Sequence, residues 1–132
     1  MKNILALDDD PEILKCLKLA LDTRGFQCTT TDNYQTFFDI FKQQHFDLVL
    51  LDVRMPRKSG FDVLKTLRHK KKTPVLFITA YAGSFTLESQ SVLDMWQKEF
   101  ADGNTDILYK PFTLASLYEK VEALIGPAEE QG

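Results

Sequence analysis

Apolar residues along this chain follow two rhythms. Short, nearly unbroken apolar runs occur at 3–7 (NILAL), 47–52 (DLVLLD), 74–79 (PVLFIT) and 106–110 (DILYK), with a weaker one at 26–30 (FQCTT). Runs of this length suit buried strands. Between them the apolar positions recur at helical spacing. Asp10 is placed to cap a first helix, with Pro11 at its first position and Glu12 in its first turn. Ile13, Leu14, Leu17, Ala20 and Leu21 share one face of it, and Gly25 stops it. Phe37, Phe38, Ile40 and Phe41 mark a second helix opening near Asp32 or Asn33. Gly60 opens a third, which carries Phe61, Val63, Leu64 and Leu67. Leu93, Trp96 and Phe100 fall at helical spacing within 81–105, and Gly103-Asn104 provides a stop. The last helix starts from Thr113, with Leu114, Leu117, Val121, Leu124 and Ile125 on one side. Strands alternating with helices predict an α/β fold, a doubly wound five-stranded parallel sheet covered on both faces. One domain is expected over 1–126, and "GPAEEQG" (126–132) reads as a tail or the start of a linker.

Composition narrows the class. The chain has 132 residues, 44% apolar and 27% charged, with a formal net charge of −3. That suits one globular domain. Nothing in the charge balance favours nucleic acid or an anionic membrane as the main partner. The one basic run, "HKKK" (69–72), reads as a solvated helix end, where cations suit the helix dipole. No stretch approaches the ~20 apolar residues of a membrane span. "MKNILALDDD" turns acidic too early for a secretory signal. Cys16 and Cys28 form no metal cluster and no disulfide framework, and are expected to be buried reduced thiols. A cytoplasmic location follows.

The chemistry gathers at strand ends. In a doubly wound sheet, function collects where the carboxyl ends of the strands meet the following loops. The first strand ends in Asp8, Asp9 and Asp10, the third in Asp52, the fourth in Thr79 and the fifth in Lys110. If those four strands are neighbours, carboxylates, a hydroxyl and an ammonium converge. Two unit charges 4 Å apart interact by about 1 kcal/mol in water and about 4 kcal/mol at an effective dielectric of 20. Crowded carboxylates therefore take up a proton or bind a cation. Oxygen ligands suit a hard ion such as Mg²⁺. A carboxylate, a Mg²⁺, a lysine and a hydroxyl together make a phosphoryl site in which the carboxylate is the nucleophile. Each piece alone has a plain structural reading: Asp10 as a helix cap, Asp8 and Asp9 as an acidic turn, Lys110-Pro111 as a surface turn. Their joint placement carries the inference.

The pieces "ILALDDDPEIL" (4–14), "DLVLLDVRMPRKSGFDVL" (47–64), "PVLFITA" (74–80) and "YKPF" (109–112) resemble a response-regulator receiver domain of two-component signalling. The resemblance implies a flavodoxin-like strand order 2-1-3-4-5. It implies Asp52 as phospho-acceptor, Asp8 and Asp9 as the metal-binding acidic pair, and the backbone carbonyl of Arg54 as a further Mg²⁺ ligand. Thr79 resembles the switch hydroxyl and Lys110 the lysine that pairs with the acceptor. A cis Lys110–Pro111 peptide is implied too. Arg54 and Tyr81 occupy positions that tune dephosphorylation. The implied partners are a sensor histidine kinase or a phosphotransfer protein. A second copy or a downstream protein would meet the face formed by the fourth helix, fifth strand and fifth helix. No contact of this domain with nucleic acid or membrane is expected.

Two features depart from the pattern. Ile107 occupies the position where an aromatic switch residue is common, and the nearest aromatic is Tyr109. Thr79 and Lys110 are also 31 positions apart (110 − 79), longer than the roughly twenty that one helix and two short loops require. This predicts a lengthened segment between the fourth and fifth strands. Two other classes compete. An aspartate-nucleophile phosphatase would place a second carboxylate two residues after Asp52, where Arg54 stands. A degenerate receiver acting only as a binding module would not need Asp8, Asp9, Asp52, Thr79 and Lys110 together.

Overall fold

The computed structural model describes residues 1–53, 59–68, 71–79 and 90–128. Five strands and five helices alternate: β1 (Asn3–Leu7), α1 (Pro11–Thr23), β2 (Gln27–Thr31), α2 (Tyr34–Gln43), β3 (Leu48–Asp52), α3 (Gly60–Arg68), β4 (Val75–Thr79), α4 (Gln90–Ala101), β5 (Thr105–Tyr109) and α5 (Leu114–Ile125). The sheet is parallel throughout, in the order β2-β1-β3-β4-β5. The expected doubly wound, flavodoxin-like sheet is therefore present. The interval between β4 and β5 is long, as expected, with its first part, 80–89, outside the described residues.

Strand parity divides the core. Ile4, Ala6, Leu48, Leu50, Leu76, Ile78 and Leu108 face the layer of α1 and α5, where Leu17, Leu21, Leu117 and Val121 meet them. Leu5, Leu7, Val49, Leu51, Val75 and Phe77 face the opposite layer, where α2 and α3 supply Phe37, Phe38, Phe41, Val63, Leu64 and Leu67. Each fully buried side chain of this kind stabilises the fold by about 1.5–3 kcal/mol relative to exposure. Both strand faces are buried, which is why the strands read as continuous apolar runs rather than alternating ones.

The helix starts follow local chemistry. Asp10 caps α1, its carboxylate accepting the Glu12 N–H at 2.9 Å. Asn33, rather than Asp32, caps α2 by accepting from the Thr36 N–H. Thr113 and Ser116 form a reciprocal capping box on α5.

Some expectations shift. β2 runs one residue later than expected because the Phe26 N–H bonds back to the Leu21 carbonyl and so closes α1. At the other end, the Thr31 carbonyl accepts from Asp8 and extends the ladder. β5 begins at Thr105, paired with Val75, and ends at Tyr109, paired with Thr79, so Lys110 stands one residue beyond the strand. Leu114 is not on the buried side of α5; it is exposed, as is Phe100 on α4. Cys28 is buried but Cys16 is exposed, against the expectation for both thiols. The side chains of Leu93 and Trp96 on α4 lie outside the described residues.

Candidate functional site

Parallel pairing brings the carboxyl ends of β1, β3, β4 and β5 to one edge. Asp8 and Asp9 follow β1, Asp52 closes β3, Thr79 closes β4 and Lys110 follows β5. Asp8, Asp52 and Thr79 are buried, whereas Asp9 is exposed. The Lys110 ammonium donates to Asp8 Oδ2 at 2.9 Å and stands 3.5 Å from Asp52 Oδ2. It is itself largely buried, with 14% of its side chain accessible. At the end of its apolar strand, Asp52 thus meets a lysine.

The second oxygen of Asp8 accepts the backbone N–H of Asp10 at 2.9 Å. Asp10 in turn caps α1, so the start of that helix orients the buried carboxylate. Burial pushes the Asp8 carboxyl above its ordinary range, even though the Asp10 N–H and the Lys110 ammonium pull the other way. Burial likewise opposes the charge on Lys110, but Asp8 and Asp52 outweigh it and hold the ammonium above its usual range. The two directions are compatible. Lys110 stays charged, yet among the described residues one ammonium faces three carboxylates.

A second cation would offset the excess. Carboxylate oxygens of Asp8, Asp9 and Asp52 all lie within 4.8 Å of one another. Cis ligands of one octahedral Mg²⁺ at ~2.1 Å each are about 3 Å apart, so the three carboxylates would draw closer around the ion or meet it in part through its waters. The donor set is all oxygen and net negative, which fits a hard divalent cation.

Gly60 has a role at the site that the sequence reading, which took it only as a helix start, did not assign. Its N–H donates to the Val53 carbonyl at 2.9 Å. A Cβ placed on it would come within 2.4 Å of the Asp52 carbonyl oxygen and 3.1 Å of Phe77. Only a residue without a side chain lets α3 begin this close to the end of β3. A glycine opening an apolar helical run soon after a strand-end aspartate was the available signal.

Ile107 is half-buried against the α2–α3 core. Tyr109, two residues on and therefore on the same side of the strand, is 44% exposed. The Lys110–Pro111 peptide is cis, as the resemblance implied. Arg54 and Tyr81 lie outside the described residues.

The family model of the response regulator receiver domain matches residues 4–122, and the chain belongs to that family. Among curated proteins it is 36% identical over 122 residues to the nisin biosynthesis regulatory protein NisR of Lactococcus lactis, covering 92% of this chain and 49% of NisR. It is 37% identical over 125 residues to the transcriptional regulatory protein CpxR of Escherichia coli K12, covering 95% and 50%. The chain thus spans about half the length of the curated relatives it matches. Among solved structures it is similar to the response regulator TrrA of Thermotoga maritima in complex with Mg²⁺-BeF. That match has a TM-score of 0.76 and 33% identity, and covers 94% of this chain and 99% of that one. Such domains are signalling switches of two-component systems rather than enzymes acting on a separate substrate. No helix among the described residues is long and apolar enough to cross a membrane.

Proposed function

We propose that this domain is a phosphorylatable switch whose acceptor is Asp52. The observation that carries the reading is the Lys110 ammonium standing between Asp8 and Asp52 in a cluster of three carboxylates. The donor is a phosphohistidine on a sensor kinase or a phosphotransfer protein. An Asp52 oxygen attacks phosphorus, an O–P bond forms, the P–N bond to the donor histidine breaks, and the histidine nitrogen keeps the electron pair. Lys110 neutralises the anionic oxygens as charge shifts onto them. The Thr79 hydroxyl donates to a phosphoryl oxygen once it is in place. Asp8, Asp9, Asp52 and the Arg54 carbonyl would hold Mg²⁺, which when bound would draw charge from the phosphoryl oxygens. Arg54 and Tyr81 occupy the positions that the receiver resemblance links to dephosphorylation, and as bulky residues they would slow loss of the phosphoryl group.

Phosphorylation then biases a two-state equilibrium that alters the face of α4, β5 and α5, which meets a second copy or a downstream protein. Ile107 has no ring to swing and is stiff at χ1. Readout therefore passes through the long segment after β4, with Tyr109 as the rival route. The domain proper is taken as 1–126, acting in the cytoplasm.

Intact-mass measurement after incubation with acetyl phosphate and Mg²⁺ tests the reading. The wild type should gain one phosphoryl group, and should gain none when Mg²⁺ is chelated. Asp52→Asn should gain none, and Asp9→Ala should label far more slowly. Labelling of Asp52→Asn at the wild-type rate would overturn the assignment.

A further inference from the structure

The polypeptide leaving α5 does not swing free where the helix ends. Gly126 turns the chain at φ 79°, and its N–H still bonds to the Glu122 carbonyl. From the far end of the sequence, the Lys2 ammonium donates to the carbonyl of Ile125 at 2.7 Å and to that of Pro127 at 2.6 Å. A cation at this place satisfies helix-end carbonyls that have no partner within the helix and complements the helix dipole. Ala128 then packs on the α1–α5 core. Its methyl lies 3.2 Å from where a Gly25 Cβ would be, so the side-chain-free turn between α1 and β2 makes room for it.

The same turn grips the body of α5. The Arg24 guanidinium donates to Glu122 at 2.9 Å and lies 4.7 Å over the Tyr118 ring. The Tyr118 hydroxyl donates to the Ala20 carbonyl at 2.8 Å. Lys2 precedes β1 and Gly25 precedes β2, so these contacts lie at the amino ends of the strands. That is the pole opposite Asp8 and Asp52.

We infer that residues 126–128 form a strap, clasped by Lys2 and seated on the Gly25 turn, that holds the point and direction from which the chain leaves α5. A displacement of α5 is then passed to residue 128 as a rigid movement, and the segment beyond starts from a held position rather than from a slack tether. The inference stands on contacts at this pole alone and is independent of which residue accepts a phosphoryl group.

Nitrogen-15 relaxation and amide exchange on the full chain test it. In the wild type, the backbone of 126–128 should be as ordered as α5. In Lys2→Met, that order should fall and exchange at the Gly126 amide should quicken about tenfold, the scale of one charge-assisted hydrogen bond. The Leu117 and Val121 amides should stay as protected as before. Lys2→Arg should restore the order, and Ala128→Asp should loosen the strap with Lys2 intact. Residues 126–128 that are already mobile in the wild type, or that stay rigid in both Lys2→Met and Ala128→Asp, would overturn the inference.

Discussion

Cys16 and Cys28 sit in opposite surroundings. Cys16 lies on the exposed side of α1, while Cys28 is enclosed in β2. Burial, with the Asp22 carboxylate adding to it, pushes the Cys28 thiol up to about 12. The thiolate is the reactive form. A disulfide reagent should therefore titrate only Cys16 in the native protein and both thiols after unfolding, and a native count of two would show Cys28 to be open. The same shift acts on stability. An unfolded cysteine ionises near pH 8.5, whereas folded Cys28 keeps its proton to about 12. The unfolded state therefore loses a proton first, and the contribution present below about pH 8.5 is lost as pH rises toward 12. Urea midpoints should fall over that window, and should fall less steeply in Cys28→Ala. The wrong expectation for Cys16 has a simple origin. Residue type favoured burial, while the face set by Leu14, Leu17 and Leu21 leaves position 16 outward. The acidic cleft was readable for the opposite reason. Asp8, Asp9, Asp52, Thr79 and Lys110 each stand at or just past a strand end, and in a parallel sheet strand ends share an edge. The glycine at position 60 hinted at a close approach, but its packing on the Asp52 carbonyl depends on the angle between α3 and β3, which no sequence pattern carries.

Element types were legible and element limits less so. Continuous apolar runs separated β1, β3 and β4 from the helices, because both faces of those strands are buried. β2 is an edge strand, and its pattern QCTTT is only partly buried, which is why it read as weak. Its limits depended on where α1 released Phe26, a matter of one hydrogen bond. The edge is closed by side-chain contacts from α1 that no periodicity marks. Cys28, whose N–H and carbonyl both turn away from β1, receives Lys18 on its carbonyl at 2.8 Å and gives its N–H to Asp22 at 3.0 Å. The tie between α3 and α4 is of the same kind: Arg68 donates to Glu99 at 2.6 Å and to the Thr73 carbonyl at 2.8 Å. On α5 the helical pattern placed Leu114 with Leu117 and Val121, but position 114 opens the helix and is exposed. Leu114→Ser should therefore change stability by no more than about 0.5 kcal/mol. Leu117→Ala, fully buried, should cost about 2–5 kcal/mol. Urea unfolding of the two variants checks this, and equal losses would show that Leu114 is covered in solution.

For the molecule as a whole, two apolar cores hold a sheet whose carboxyl-end pole is electrostatically strained. Among the described residues three carboxylates face one ammonium there, and burial has already pushed Asp8 upward. Neutralising Asp52 would leave Lys110 on Asp8 at 2.9 Å and remove a like-charge neighbour. It would also remove the weaker 3.5 Å attraction between Lys110 and Asp52. Asp52 stands against two carboxylates, Asp8 and Asp9, within 4.8 Å. Each repels it by about 1–3 kcal/mol across the range of effective dielectric from water to a protein surface, against one attraction of similar size to Lys110. After the lost attraction is set against this, Asp52→Asn should be more stable than the wild type by about 1 kcal/mol when divalent ions are chelated. Mg²⁺ should change the ordering. A ligand that binds only the folded state stabilises it by about 2.7 kcal/mol at a hundredfold excess over its dissociation constant. The wild type offers three carboxylates to the ion and Asp52→Asn two, so the wild type gains more and the gap closes or inverts. Thermal unfolding of both proteins in chelator and in Mg²⁺ measures all four values. A less stable Asp52→Asn in chelator would mean that the carboxylates do not strain the fold. A wild-type midpoint unmoved by Mg²⁺ would mean that the three carboxylates do not hold the ion.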